Sequence, residues 1–165
     1  MSALYRKNVG IVVFNDKHKV LMCARADKPD LQWQFPQGGI EDGEDIVEAA
    51  KRELREETGI TSVILVAKLP HTIRYDFPEE IQKKHRELGC YFVGQEQSWV
   101  LFYFTGNDKE IDFYAHPEEI EFKAYEWVDI YEAPQRIVEF KKEVYKEVAK
   151  YFSSYIYNNS EITND

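Results

Sequence analysis

Short apolar runs separated by polar turns dominate the pattern of the first 130 residues. Residues 9–14 and 20–23 are apolar and rich in β-branched side chains, and the polar segment NDKHK between them predicts a hairpin connection. Residues 60–69, 99–104 and 125–128 are further apolar runs of strand length. The pattern therefore predicts a domain with several strands.

Helical spacing replaces this pattern in the middle of the chain. Asp45 can cap the N-terminus of a helix, with Glu48 three residues later in the manner of a capping box, and Gly59 can end the helix. The apolar stripe of this helix consists of Ile46, Ala49, Ala50 and Leu54. This segment is the clearest helix in the sequence.

A second apolar stripe predicts one long amphipathic helix over residues 134–157. The polar segment 78–88 predicts a loop or a short helix. Strands mixed with two substantial helices indicate an α/β fold. We expect a single domain over residues 1–157 and a disordered polar tail over residues 158–165.

Composition narrows the possible classes of function. The chain has 165 residues, 30 of them acidic and 21 basic, with a formal net charge of −9, which argues against coating nucleic acid by bulk charge attraction. Its two cysteines, Cys23 and Cys90, form no CxxC pair, so we expect reduced thiols in a cytoplasmic protein. No apolar stretch approaches the roughly 20 residues that span a bilayer, and no obligatory protein partner is evident.

Three glutamates on the central helix carry the most informative spacing. Glu53, Glu56 and Glu57 stand at i, i+3 and i+4, so their carboxylates project from one face and repel one another. A divalent cation turns this repulsion into binding, because carboxylate oxygens are preferred ligands of Mg²⁺. Glu44 and Arg52 can brace such a site. The alternative is an exposed, charge-rich helix without a ligand.

The glycines before the helix favour the metal site over this alternative. Gly38 and Gly39 allow the backbone to approach a ligand closely, and the turn at Asp42-Gly43 reverses the chain before the helix starts. This arrangement brings backbone carbonyls towards the glutamates, and Gly38 is the candidate backbone ligand.

Together these residues resemble the Nudix box, the signature motif of the Nudix hydrolases. The motif is G, five residues, E, seven residues, then R-E-aliphatic-x-E-E-x-G-aliphatic. Its fixed positions are filled here by Gly38, Glu44, Arg52, Glu53, Leu54, Glu56, Glu57, Gly59 and Ile60.

Outside the box, the chain is similar to one branch of the family, the bacterial RNA pyrophosphohydrolases and the asymmetric diadenosine polyphosphate hydrolases. The matching segments are Tyr5-Arg6, Asn8 to Ile11, Trp33 to Gly39, Gly94-Gln95, Gln97, Trp99 and Phe140-Lys141. The resemblance implies an α/β/α sandwich around a mixed sheet, with a long C-terminal helix.

The resemblance also implies roles for individual residues. Glu53, Glu56 and Glu57 would hold Mg²⁺, for which Mn²⁺ or another divalent cation could substitute, and a distant loop would add a fourth carboxylate. Glu121 is the candidate for that carboxylate, with Glu118 and Glu119 as the alternatives. Glu53, Glu57 and Arg52 would be the catalytic residues, with Glu53 as the general base.

The nucleotide site implied by the resemblance consists of Arg6, Tyr75, Gln95, Phe140 and Lys141. Aromatic rings offer stacking surfaces for bases, and basic side chains offset phosphate charge. For Phe140 a place in the core remains an alternative, because it lies on the apolar stripe. For Lys141 and Lys142 the alternative is an exposed helix face.

The expected activity is metal-dependent removal of pyrophosphate from the 5′-triphosphate end of RNA. Asymmetric hydrolysis of diadenosine tetraphosphate is the alternative substrate assignment, and a non-catalytic Nudix-fold nucleotide-binding module is a third possibility. The chain departs from the branch at Lys7, Ala26, Glu96 and Ser98. These departures reduce the positive charge near the entrance, which favours small dinucleotides relative to long RNA.

Overall fold

Two long parallel strands form the centre of a mixed sheet in the computed structural model, which describes residues 3–158. Strand β1 (Tyr5–Phe14) pairs with β7 (Gly94–Phe104), in register from Tyr5↔Gly94 to Phe14↔Tyr103. The other strands are β2 (Val20–Arg25), β3 (Trp33–Gln34), β4 (Gln37–Gly39), β5 (Val63–Lys68), β6 (Ile73–Asp76) and β8 (Phe122–Val128). The path runs β3-β2-β1-β7-β5, with β4 on β1, β6 on β7 and β8 on β2.

Helices cover both faces of this sheet. Helix α1 (Ile46–Thr58) covers one face and α4 (Lys142–Tyr157) the other, and the chain also forms α2 (Glu79–Glu87) and α3 (Ala133–Arg136). Side chains alternate along β1, so Val9, Ile11 and Val13 pack in the core on the α1 face. Val12 and Phe14 pack in the core on the α4 face. This arrangement confirms the predicted α/β/α sandwich with a mixed sheet.

The ends of α1 are fixed by the residues that the sequence indicated. The Asp45 carboxylate accepts hydrogen bonds from the N–H groups of Val47 and Glu48, and Gly59 takes the left-handed conformation at φ 78°. Between residues 3 and 158, no bond from Glu48 back to the Asp45 N–H completes a capping box. These caps determine the length of the helix that carries the glutamates.

The prediction of one helix over residues 134–157 is wrong. The chain is extended at Ile137 (ψ 154°) and Val138 (ψ 142°), so α3 ends there and a 3₁₀ turn, Glu139–Lys141, precedes α4. These two residues are β-branched and fit extended backbone well. The break buries Ile137 and turns Lys141 into the protein interior. The long C-terminal helix is thus α4, preceded by a separate turn.

Other boundaries also differ from the sequence pattern. The segment 78–88 contains the helix α2, β1 and β7 both start earlier than predicted, and β6 was not predicted. Over the described part of the chain, no helix is long and apolar enough to cross a membrane. Of the predicted polar tail, residues 159–165 lie outside the described residues.

Candidate active site

The carboxylates of α1 face the β4 backbone. Glu57 is buried, with 7% of its surface exposed, while Glu53 and Glu56 are half-buried. Glu53 packs so closely on Gly38 that a Cβ added there would lie 2.0 Å from the Glu53 carboxyl carbon. Glycine is therefore required at this position by close approach, as the double glycine suggested.

The electrostatics of this face disfavour three free carboxylates. Burial raises the pKa of Glu57 well above its ordinary value, and the charges of Glu53 and Glu121 raise it further, against a backbone hydrogen bond from Gln37. Burial also raises the pKa of Glu53, against the effect of Arg52. The carboxylates therefore favour any positive partner, whether a proton or a cation.

Arg52 joins the carboxylates to the turn before the helix. Its Nε and Nη2 donate to Glu44 at 2.8 and 2.9 Å, and Nη2 also donates to the Gly39 carbonyl at 3.0 Å. Its Nη1 donates to Glu53 at 2.8 Å and more weakly to Glu56 at 3.4 Å. Arg52 lowers the pKa of Glu44 to about 2, so this carboxylate stays charged. The predicted bracing by Glu44 and Arg52 is therefore present in the structure.

Glu121 lies in the same region and directly precedes β8, the strand that pairs with β2. Its charge raises the pKa values of Glu57 and Glu53, and it also acts on Arg25. Its carbonyl accepts a hydrogen bond from the Ala26 N–H at 2.8 Å. Glu118, in contrast, lies 4.0 Å from His116 in an exposed pair. Glu121 is thus close enough to Glu53 and Glu57 for its charge to raise their pKa values.

The chemistry of this face fits a hard divalent cation. Glu57 Oε2 is buried and has no hydrogen-bond partner among the described residues, so it offers a free anionic ligand atom. No three acidic, His or Cys side chains within residues 3–158 already surround one point. Glu53 and Glu56 both point to Arg52 Nη1, which accounts for this. A cation would therefore have to draw the carboxylates together.

A cavity of about 490 Å³ lies beside the carboxylates. Arg6, Tyr75, Gln95, Phe140 and Lys141, the five residues predicted for the nucleotide site, all line it. Arg6 also lines the neighbouring depression that contains Arg52 and Glu53. The two regions are therefore contiguous, with Arg6 at their junction.

Aromatic and polar contacts hold the inner wall of this cavity. The Tyr75 hydroxyl donates to Gln95 Oε1 at 2.6 Å, and the rings of Tyr75 and Phe140 lie 5.9 Å apart. Phe140 is half-buried, so it packs against the core and also lines the cavity. Both interpretations of Phe140 therefore have a structural basis.

Lys141 is buried and does not lie on an exposed helix face. Its Nζ lies 5.7 Å from the Tyr75 ring centre and 5.8 Å from that of Phe140. Burial, together with the charge of Arg25, lowers the pKa of Lys141 to about 8. A buried cation without an anionic partner among the described residues suits a phosphate ligand.

Helix α2 supplies a further wall of the cavity, which was not predicted from the sequence. Ile81, Lys84, His85 and Leu88 line the cavity at i, i+3, i+4 and i+7. That spacing is visible in the sequence and predicts one helix face. It does not reveal that the face meets a cavity in place of the core.

Comparison with known proteins agrees with this geometry. Residues 4–148 match the family described as the NUDIX domain. The chain is 45% identical over 155 residues to an RNA pyrophosphohydrolase of Erythrobacter litoralis, which covers 92% of this chain and 93% of that protein. It is 43% identical to Nudix hydrolase 26, chloroplastic, of Arabidopsis thaliana, over 92% of this chain and 71% of that protein.

A solved structure supports the same fold. The E. coli dihydroneopterin triphosphate pyrophosphohydrolase superposes with a TM-score of 0.65 at 22% identity, over 87% of this chain and 96% of that one. The motif, the fold and the match along most of the chain agree. The chain therefore belongs to the Nudix family and is a Nudix hydrolase that acts on anhydride bonds.

Proposed function

We propose that the protein removes pyrophosphate from the 5′-triphosphate end of RNA, with Mg²⁺ as the bound ion. The observation that carries this proposal is the junction at Arg6, which joins the acidic face of α1 to a cavity lined by aromatic and basic side chains. A cavity of about 490 Å³ lies within the range of ligand sites, roughly 300–1,000 Å³. It suits the end of a single strand.

Similarity along the chain supports the same substrate. RNA pyrophosphohydrolases of several bacteria, among them Caulobacter vibrioides and Bartonella clarridgeiae, are 41–45% identical over at least 90% of this chain. Hydrolysis would break the anhydride bond between the α- and β-phosphates, leaving an RNA 5′-monophosphate and pyrophosphate. The proton of the attacking water must then be accepted by the protein.

In our proposal the acidic face performs the chemistry. Glu56, Glu57, Glu121 and the Gly38 carbonyl would hold the ion, which supplies charge neutralisation and a more acidic water. Glu53 would accept the proton of the attacking water, since burial gives its carboxylate a raised pKa and hence a stronger basicity. Arg52 would hold Glu53 in place through its 2.8 Å hydrogen bond.

The cavity would hold the substrate. Arg6 and Lys141 would offset the charge of the phosphates, and Phe140 and Tyr75 would provide the stacking surface for the first base. Lys141 is held over both rings, so its ammonium group is positioned before the substrate arrives. The cavity would thereby direct the triphosphate towards Arg6 and the carboxylates.

A side-by-side rate comparison tests this proposal. One enzyme preparation receives 5′-triphosphorylated RNA, diadenosine tetraphosphate and free nucleoside triphosphates, each with Mg²⁺ and with excess EDTA. We expect the highest kcat/KM for RNA and no turnover in EDTA. Rapid turnover of diadenosine tetraphosphate with RNA left intact would establish the dinucleotide assignment instead. Full activity in EDTA would refute the ion-dependent mechanism.

The role of Glu121 needs a separate comparison with its neighbour. We expect Glu121→Ala to reduce kcat for RNA strongly, because its charge acts on Glu53 and Glu57. Glu118→Ala is the matched control, since that exposed carboxylate pairs with His116. Loss of activity in the Glu118 variant alone would transfer the role to Glu118.

A further inference from the structure

Helix α2 lines the substrate cavity with one of its faces. None of its nine residues is buried, so it contributes no side chain to either core cluster. Ile81, Lys84 and His85, with Leu88 at its C-terminal end, nevertheless line the cavity from one side. A helix with this placement contributes a wall to the site and little to the packing of the sheet.

Local contacts hold α2 in this position. The Phe77 N–H donates to the Val93 carbonyl at 2.8 Å, which closes the base of the segment. Gln82 Nε2 donates to the Phe77 carbonyl at 2.8 Å, and the His85 ring meets the Phe77 ring edge-on at 5.2 Å. The orientation of α2 is therefore fixed mainly by contacts to Phe77 at its base.

The charge on the cavity wall is opposite to that of the molecule. Five basic side chains and no carboxylate are among the side chains that line it, although the whole chain has a net charge of −9. They are Arg6, Arg25, Lys28, Lys84 and Lys141. Lys84 is exposed and makes no ion pair with any residue between 3 and 158. Arg25 is held in an ion pair with Asp27 at 2.7 Å. The other four basic side chains still offer positive charge beyond the site that a terminal phosphate occupies.

We propose that α2 holds the RNA strand beyond its first nucleotide, with the Lys84 ammonium group paired to a phosphodiester phosphate. The proposal rests on the proposed function and adds a reason why the enzyme would prefer RNA to free nucleoside triphosphates. A free nucleoside triphosphate has no phosphodiester and cannot use Lys84, whereas an RNA of several nucleotides can. Lys84 is thus a specificity residue that favours RNA over shorter substrates.

The test compares substrates of increasing length in three variants. The substrates are a nucleoside triphosphate, a triphosphorylated dinucleotide and a triphosphorylated RNA of about ten nucleotides. Lys84→Ala should raise KM for the long RNA about three- to fivefold, the effect of one exposed ion pair, and leave KM for the nucleoside triphosphate unchanged. Lys84→Arg should restore KM for RNA, because it keeps the charge.

Lys83→Ala is the matched control, because Lys83 is exposed on the same turn and does not line the cavity. It should behave as wild type on all three substrates. The dependence of log(kcat/KM) on log[salt] for RNA should also become shallower by about 0.7 in Lys84→Ala, the contribution of one phosphate on a single strand.

Equal effects of Lys84→Ala on all three substrates, or equal effects of the Lys83 and Lys84 variants on RNA, would overturn the inference. Failure of the proposed function would give a different result from failure of this inference. In that case the wild-type enzyme itself would leave triphosphorylated RNA intact in the same series, whatever the variants do.

Discussion

Glu57 is a buried side chain whose surroundings oppose its negative charge. Its carboxylate is inside the protein, one of its oxygens has no partner among the described groups, and three neighbouring carboxylates oppose its ionisation. Burying such a group without compensation is unfavourable. A bound proton or a cation would offset this cost.

We predict that Glu57→Gln lowers kcat/KM about a hundredfold or more, because even the partners of metal ligands are worth about 10–100-fold. The amide keeps the shape of the side chain and removes the charge that would hold a cation. The melting temperature of the metal-free protein should stay the same or rise, since the buried charge is gone. Glu48→Gln, on the exposed side of α1, is the control and should retain activity.

A large fall in the melting temperature of the metal-free Glu57→Gln protein would show that Glu57 is a structural residue. Retained activity in a well-folded variant would remove it from the site. Circular dichroism melts and initial rates on one substrate are sufficient for both comparisons.

Lys141 predicts a pH dependence of substrate binding. Its pKa is lowered to about 8 by burial and by Arg25, so its positive charge is lost as the pH rises through that value. KM for a triphosphorylated substrate should then increase about tenfold or more, because a hydrogen bond to a charged group is worth about 1.5–3 kcal/mol. Lys141→Arg keeps its charge throughout and should remove this rise. A KM profile that is the same in both proteins would contradict the prediction.

The same lowered pKa has a defined effect on stability. The folded protein binds the Lys141 proton less tightly than the unfolded chain does. Burial of the charged lysine therefore lowers the free energy of unfolding by its full amount below about pH 8. This loss of stability declines as the pH rises from about 8 towards 10.5. Lys141→Met should therefore be more stable than wild type at pH 7. The difference should shrink at pH 10, as measured by urea unfolding.

The ends of helices and strands could be predicted where neighbouring residues in the sequence determine them. The ends of α1 follow from Asp45 and Gly59, whose capping chemistry is contained within a few residues. The break between α3 and α4 was not predictable, because the apolar spacing continues through Ile137 and Val144 while the backbone is extended at 137 and 138. Tertiary packing decided that break.

The candidate site divides in the same way. Glu53, Glu56 and Glu57 could be assigned from spacing alone, since one helix places them together. Glu121 could be proposed only from the family resemblance, because no local pattern indicates that the residue before β8 lies near the glutamates of α1. The position of α2 beside the cavity could not be predicted from the sequence. Periodicity indicates which side chains share a helix face, but not whether that face packs on the core or lines a cavity.

The close approach of β4 to α1 gives a prediction at the level of elements. An added Cβ at Gly38 would lie 2.0 Å from the Glu53 carboxyl carbon, so Gly38→Ala must displace that carboxylate. We expect kcat to fall about a hundredfold, as for a displacement near 1 Å in an active site. Steady-state rates would be measured beside thermal melts.

Gly43→Ala is the control for Gly38→Ala. It has open space around its Cβ position but a φ of 78°, so it should cost stability, about 1–2 kcal/mol, with a much smaller effect on kcat. If both variants lose activity in proportion to their loss of stability, the contact with Glu53 is not the cause.

At the scale of the whole molecule, acidic and basic side chains gather in different regions of the surface. The chain has a net charge of −9, its acidic face lies on α1, and basic side chains gather in the neighbouring cavity. A protein with this distribution attracts an RNA end locally and repels the rest of a long polyanion. Length beyond the cavity should therefore add little to affinity.

We predict a shallow salt dependence for long triphosphorylated RNA. If only two or three phosphates contact the cavity, the slope of log(kcat/KM) against log[salt] should be about −1.4 to −2.1, at about −0.7 for each phosphate on a single strand. Initial rates measured between about 50 and 200 mM salt give this slope. A slope steeper than about −4 would indicate a much longer RNA path.

The ten-residue pairing of β1 with β7 has two ends with different surroundings. At one end, Ile11 to Phe14 lie beneath helices on both faces and are fully buried. At the other, Arg6 and Lys7 are exposed beside the cavity and the carboxylates. Amide hydrogens in the covered half should exchange with solvent only when the whole protein unfolds, and those near Arg6 through smaller local openings. Local openings near Arg6 should therefore leave the covered half of the sheet intact.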